Sequence, residues 1–319
     1  MKTKLLAVST TFLALVGCNG SGGDTPAAPN KTALVSFSVS DAPVDDATEV
    51  VVAFDALELI HENGERYYLD VVDANDDGVQ QIDLLDYQGS DSRLILSDER
   101  MAIGQYRELI VHTKSKPGDM QWVMANGQHE LKVPSDKLRL GGFEVTEETV
   151  QSFTIEFDLR KALVLRGNNS NNNGYNLKPH GVSIVDNGSA TSLWGQVDSA
   201  LFSEGDACST DGGNFVYLYQ GHNHAEGTLV DNIDINDIDY NDDFELPEGY
   251  VEPYASVGVE ENGDYYFGFI PSGDYTVAFT CSAYIDDPIQ YDQIKIANPS
   301  EQVAEITLEP TQEYEHNFQ

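Results

Sequence analysis

What most restricts the fold of this chain is the lack of any sustained helical period. Its apolar residues come in short runs of Val, Ile, Tyr, Phe and Thr, cut apart by Gly, Asp, Asn and Pro. Branched and aromatic side chains suit a pleated surface, and turn residues at such close intervals leave no length for long helices. Residues 34–39, 50–59, 67–72, 106–113, 149–157 and 182–185 read as strands of a first part. Residues 193–198, 215–219, 255–259, 265–270, 275–281 and 303–308 read as strands of a second. The expected fold class is all-β, with two β-sandwich domains in tandem, divided at the turn-rich Asp186-Asn187-Gly188-Ser189. Helical turns are expected only around residues 83–87 and at Pro134-Ser135. The Asn-rich residues 168–174 read as an exposed polar loop.

A short echo links the two parts. Ile103-Gly104-Gln105-Tyr106 precedes one alternating strand, and Ser272-Gly273-Asp274-Tyr275 precedes another. In both, a Gly turns the chain and a Tyr opens the next strand.

The N-terminal end carries a different signal. Met1, Lys2, Thr3 and Lys4 are followed by an apolar run over residues 5–16, then Gly17 and Cys18. A charged start, about a dozen apolar residues and a small residue before the cut mark a secretory signal. Twelve helical residues rise about 18 Å, short of a hydrocarbon core of roughly 30 Å, so the run is not a permanent span. Leu15-Val16-Gly17-Cys18 resembles the lipobox of bacterial lipoproteins. The resemblance implies a signal peptide over residues 1–17, lipid on Cys18, and a membrane partner held through several acyl chains. Asn19 stands where that family's inner-membrane retention signal has Asp, which implies outer-membrane sorting and a periplasmic or surface face. Residues 18–31 then form the lipidated Cys and a flexible tether, because 19–31 hold no large apolar residue to bury.

Lipidation of Cys18 leaves Cys208 and Cys281 in an oxidising compartment, where a disulfide is expected. The balance of 17 basic against 54 acidic residues, a formal −37, excludes nucleic acid as a partner and disfavours anionic lipid. So much acid fits either a solvated surface or divalent-cation binding.

Five motifs occur in order in the first part: Asp41-Ala42-Pro43, Ile82-Asp83-Leu84-Leu85, Gly104-x-Tyr106, Val133-Pro134-Ser135 and Phe157-Asp158-Leu159. Together they resemble a bacterial lipoprotein domain of unknown function, spanning 32–187 and bringing no established activity. In the second part, Gly195-x-Val197, Gly263-Asp264-Tyr265-x-Phe267 and Pro271-x-Gly273-x-Tyr275-x-Val277 carry another likeness. Residues 188–310 resemble the carboxypeptidase-regulatory-like, transthyretin-like (prealbumin-like) sandwich, which implies an accessory module or carbohydrate-binding-like fold. The acidic insertion at 221–254 departs from that family, and 311–319 are left as a tail.

Three constellations bear on chemistry. Asp73, Asn75 and Asp77, with Gly78 after them and Asp83 further on, space oxygen ligands as a calcium loop does, although position 12 is Leu84 rather than Glu. A plain hairpin turn is the alternative. Asp231, Asp234, Asp237 and Asp239, inside the acidic insertion, are either a weaker calcium site or a solvated loop. Phe215, Tyr217 and Tyr219 share one face of a strand, where they would stack on sugar rings if exposed, or form core or an interdomain contact if covered. His222 and His224 make a marginal transition-metal pair. The sequence holds no G-x-S-x-G elbow, H-E-x-x-H, C-x-x-C or phosphate-cradling glycine loop, so no catalytic residue is assigned. A hydrolase would need convergent carboxylates in a concave pocket. The expected function is a non-catalytic envelope lipoprotein that binds or scaffolds, with a glycan or an envelope protein as partner. The alternative is a carbohydrate-binding surface lipoprotein, with calcium as its cofactor.

Overall fold

The computed structural model describes residues 31–42, 47–71, 78–115, 120–147, 150–168, 171–202, 208 and 213–319. The signal peptide, Cys18, the tether, and Asp73, Asn75 and Asp77 lie outside the described residues.

The first body begins with the alternation of Thr32–Ala42, which buries Ala33, Val35, Phe37 and Val39. This strand is sandwiched in its sheet between Val150–Asp158, running parallel to it, and Arg93–Ala102, running antiparallel; Val182–Asp186 completes the four-stranded sheet. A ten-stranded sheet is built around Glu49–His61 and Gly104–Thr113. Both sheets feed one buried cluster, with Phe37 and Phe153 meeting Phe143 of the larger sheet. Each large side chain buried there contributes about 1.5–3 kcal/mol. The parallel pairing has a consequence for chemistry: its register sets Ser40 opposite Glu156, Asp41 opposite Phe157 and Ala42 opposite Asp158.

The chain changes bodies through the turn after Val182–Asp186. Ala190–Gln196 belongs to a three-stranded sheet with Asp264–Pro271 and Glu313–Glu315. Phe215–Gln220 lies in a four-stranded sheet between Ala255–Gly258 and Gly273–Thr280, with Val303–Leu308 beyond. Val216, Leu218, Val277, Phe279, Leu193 and Tyr265 fill a second core between the two sheets. The closing segment is part of this body rather than a tail: Glu313–Glu315 adds a parallel strand to Ala190–Gln196, and Phe318 is buried in the core. The disulfide is formed, joining Cys208 to Cys281 with Cα atoms 4.9 Å apart. Lys31–Gln319 makes one compact unit.

The two expected helical turns are 3-10 turns at Leu84–Asp86, capped by the Asp83 side chain, and at Pro134–Asp136. One expectation fails. Residues 171–174 are not a loop, because Leu163–Asn168 and Asn171–Leu177 pair as an antiparallel hairpin. A ladder is made by backbone groups, and polar side chains do not prevent it.

The Gly-x-Tyr echo has a physical content. Each copy stands where the chain leaves one sheet for the other: Arg93–Ala102 to Gly104–Thr113 in the first body, Asp264–Pro271 to Gly273–Thr280 in the second. Gly104 and Gly273 take φ of 130° and 156°. The Tyr106 hydroxyl donates to the Ala102 carbonyl (3.0 Å), and that of Tyr275 to the Pro271 carbonyl (2.9 Å), four residues back in both. This is the geometry of a tyrosine corner.

Candidate functional site

The densest cluster of buried polar groups lies at the seam between the two bodies. It is organised by α1, the four-residue helix Leu159–Ala162, which follows directly on Val150–Asp158. Asp158 caps α1, its Oδ1 accepting from the Lys161 amide at 3.2 Å, while its Oδ2 reaches across the seam to the Ser256 amide at 3.2 Å. The turn Pro179–Gly181 lies against α1. A Cβ on Gly181 would sit 2.5 Å from the Ala162 nitrogen and the Asp158 carbonyl oxygen, so only glycine allows that approach.

α1 presents two cations to the second body, and both are buried: Arg160 is 9% exposed and Lys161 8%. Arg160 Nη2 lies 3.1 Å from Asp286 Oδ2, and its guanidinium covers the Phe215 ring at 3.5 Å. Asp286 also accepts from the Tyr217 hydroxyl (2.6 Å), the Asn232 side chain (2.7 Å) and the Asn232 amide (3.1 Å). Burial pushes the Asp286 carboxyl up to about 6, against the opposing pull of Arg160 and the Tyr217 hydroxyl. Lys161 Nζ donates to the Pro253 carbonyl at 2.7 Å; burial pushes its ammonium down, while Asp158 pulls it back up. Two further contacts extend the seam, Lys178 to Asp237 at 2.5 Å and His180 to Asp234 at 3.7 Å. Burial, then the Lys161 charge, pushes the His180 imidazolium down.

This arrangement takes in Phe215, Tyr217, Asp234 and Asp237 of the residues singled out in the sequence. Phe215, Tyr217 and Tyr219 are not an open sugar platform: they are 6%, 0% and 0% exposed. They form a third apolar cluster with Ala283, Ile294 and Ala297, under the segment that follows Cys281. Tyr219 donates to the Val230 carbonyl at 2.6 Å. Asp231 is buried and accepts from the Ile294 and Asp292 amides at 2.7 and 3.2 Å, and burial raises its carboxyl to about 7. Asp237 is pushed up by burial, but the Lys178 ammonium outweighs this and holds it below the usual carboxylate range. Asp234 caps the Asn236 amide, and Asp239 is exposed. Asp83 Oδ1 accepts from the Val50 and Leu85 amides, at 2.9 and 3.2 Å. His222 Nε2 lies 2.9 Å from the Ile306 carbonyl oxygen. Among the described residues, no group of three or more His, Cys, Asp or Glu is placed to hold a metal ion.

A cavity of about 470 Å³ opens beside this network, lined by Glu156, Asp158, Lys161, His180, Tyr254 and Phe269, among others. Small-molecule pockets fall in the range of about 300–1,000 Å³. Burial, and then the carboxylates of Glu156, Asp158 and Asp83, push the neighbouring Asp41 well above the usual range. Phe269 takes a left-handed φ of 45° at a register shift between Ala190–Gln196 and Asp264–Pro271. Strain of this kind persists only where the surroundings fix it. Both Asp158 oxygens accept from backbone amides, which hold this carboxylate in one orientation at the cavity wall. What the cavity offers is a mixed lining of donors, acceptors and aromatic faces. Arg160, Lys161, Lys178, His180 and Asp286 were not marked by any sequence motif. The available signal was the scarcity of cations: two adjacent ones follow Asp158 in a chain with 17 Lys and Arg in all.

Residues 32–179 match the family described as Domain of unknown function (DUF4382). The match includes Asp41, Asp158 and α1, and stops before the second body. No curated protein matches the chain. Among solved structures, the Bacillus anthracis TIE protein is similar at 11% identity and a TM-score of 0.21, over 90% of this chain and 34% of that one. The Streptococcal ancillary pilin is similar at 8% identity and a TM-score of 0.22, over 90% of this chain and 68% of that one. BcpA, the major pilin subunit of Bacillus cereus, is similar at 11% identity and 0.20, over 90% and 99%. The chain thus spans about a third of the Bacillus anthracis protein, and 26% of a leucine-rich repeat protein from Bacteroides thetaiotaomicron that it also resembles, with a TM-score of 0.19 and 9% identity over 90% of this chain.

Proposed function

We propose that this chain is a non-catalytic cell-envelope lipoprotein, anchored through Cys18 to the outer membrane, which acts as a rigid two-body binding or scaffolding module. The observation that carries this reading is the seam. Arg160, Asp286, Tyr217 and Asn232 form a buried, hydrogen-bonded charge cluster between the bodies. Buried ion pairs add little net stability, but a wrong alignment strands their charges, so they serve to fix one geometry. Fixed geometry is what a scaffold needs, and the cavity at the same seam is of a size to hold a small ligand. The lipobox and the Cys208–Cys281 disulfide support export. The second body is read as a carboxypeptidase-regulatory-like accessory sandwich, on the residues that carry that likeness. The glycan reading loses the platform it relied on, because the Phe215, Tyr217 and Tyr219 row is covered. Among the described residues, no helix is long and apolar enough to cross a membrane.

Spin labels at Glu144→Cys and Glu309→Cys, one exposed site on each body, test the rigidity. One narrow distance distribution is expected, and a broad one would count against a scaffold. Cys18→Ser should move the chain from the membrane fraction to the soluble one; no change in fractionation would sink the anchor.

A further inference from the structure

A second concave site lies apart from the Arg160–Asp286 cluster, on the outer face of the three-stranded sheet. It is a groove of about 330 Å³ lined by Trp194, Tyr266, Glu260, Asp264 and Glu313, with Gly195 and Tyr265 at its floor. Trp194 and Tyr266 are direct cross-strand partners, so both side chains leave the same face of the sheet. Trp194 is 39% exposed.

The groove is built rather than incidental. A Cβ on Gly89 would meet the Tyr266 ring at 3.0 Å, so this glycine, at φ 68°, lets the first body back that ring. A Cβ on Gly195 would lie 1.6 Å from the His316 carbonyl oxygen. The bare backbone there admits the Glu313–Glu315 strand, which sets Glu313 opposite Ser192 and Glu315 opposite Trp194. Asp264 is oriented by Gln196 Nε2 at 3.1 Å and Asn262 Nδ2 at 2.8 Å, both neutral donors. Among the described residues, none of Glu260, Asp264 and Glu313 has a cationic partner, and no Lys, Arg or His lines the groove.

Two aromatic faces beside three uncompensated carboxylates select by charge. An anion would be repelled, and a neutral apolar ligand would gain nothing from the acids. A metal ion would have no use for the rings. A cation with an apolar skin gains from both, through the ring quadrupoles and through the field of the carboxylates. We propose that this groove binds a small free organic cation of the quaternary ammonium class. The site is independent of the seam cavity and goes beyond the scaffolding role.

The chain holds two tryptophans, Trp122 and Trp194, and Trp122 donates to Glu49 at 2.9 Å in the first body. The full chain labelled with 5-fluorotryptophan therefore gives a reporter in the groove and an internal control elsewhere. Titration with choline should shift the Trp194 fluorine resonance saturably and leave Trp122 unmoved. The neutral isostere 3,3-dimethylbutan-1-ol should bind at least about fivefold more weakly, the loss of one modest cation–π contact. The double variant Glu260→Gln/Glu313→Gln, confined to exposed side chains, should also weaken choline several-fold, and added salt should do the same in the unmodified chain. A linear shift without saturation would overturn the proposal. So would equal binding of the isostere, or full affinity in the double variant. A Trp194 shift with phosphatidylcholine vesicles but none with choline would instead assign the groove to a lipid surface and refute a free ligand.

Discussion

Replacing Arg160 with Met is the sharpest test of the seam. The substitution keeps part of the apolar stem, and removes both the guanidinium that covers Phe215 and the charge that faces Asp286. Asp286 has no exposed side-chain surface, so it keeps Tyr217 and Asn232 as donors but loses its cation. Stranding one member of a buried pair costs about 3–5 kcal/mol, a large share of a total stability of about 5–15 kcal/mol. The cost must depend on pH. In the unmodified chain the Asp286 carboxyl titrates at about 6, and without Arg160 it titrates higher. Between these two values the variant takes up a proton that the unmodified chain does not. The difference in stability therefore closes by about 1.4 kcal/mol for each unit of falling pH. Below pH 6 the acid is neutral in both, and the unmodified chain then buries Arg160 against an uncharged partner. Urea unfolding followed by tryptophan fluorescence and far-UV circular dichroism, at pH 8, 7, 6 and 5, reads the effect directly. A loss of about 4 kcal/mol at pH 8, shrinking down to about pH 6 and level below it, is expected. Adding Asp286→Asn to the variant should recover most of the loss at pH 8. A loss under about 1 kcal/mol at pH 8, or one constant from pH 8 to 5, would refute the reasoning.

Three further outcomes are expected. Asp231, Asp286 and Asp292 are raised chiefly by burial, to about 7, 6 and 6, above their unfolded values. The folded chain then holds protons that the unfolded chain has released, so stability should fall as pH rises from about 4 to 7; a melting temperature that climbs over that window would contradict this. Reducing the Cys208–Cys281 bond, which closes a separation of 73 residues, should cost about 4 kcal/mol on the chain-entropy account. Unfolding with and without reductant checks it, and two alkylatable thiols in the native exported chain would sink the pairing. Calcium binding at residues 73–83, against the plain turn, would show as a rise in melting temperature relative to chelator that is lost in Asp73→Ala/Asp77→Ala. A ligand at a hundredfold excess over its dissociation constant adds about 2.7 kcal/mol, so no shift at millimolar calcium would reduce that stretch to a turn.

The core strands were legible because one buried face imposes alternation, as Ala33, Val35, Phe37 and Val39 show. Gln80–Asp83, Gln128–Lys132 and Asn171–Leu177 were not, since segments with few apolar side chains are held by backbone pairing that leaves no pattern. The aromatic alternation of Phe215, Tyr217 and Tyr219 was readable, but which face stays open was not. That depends on residues 283–297 folding over the strand from far along the chain. The seam was hidden for the same reason: Arg160 and Asp286 stand 126 residues apart, and neither lies in a spacing that local chemistry would require.

The two tyrosine corners bear on how the chain gets started. Most pairings here join distant residues; Thr32–Ala42 waits for Val150–Asp158, and Phe215–Gln220 for Gly273–Thr280. Closing such loops costs entropy before any contact rewards it, which makes such topologies slow. The bonds from Tyr106 to Ala102 and from Tyr275 to Pro271 span only four residues. Each lies where one sheet hands the chain to the other, so neither bond requires a long loop to be closed first. Every half thus owns a short-range point of nucleation, and the amides around the two corners should be the first protected from hydrogen exchange during refolding, each on its own schedule.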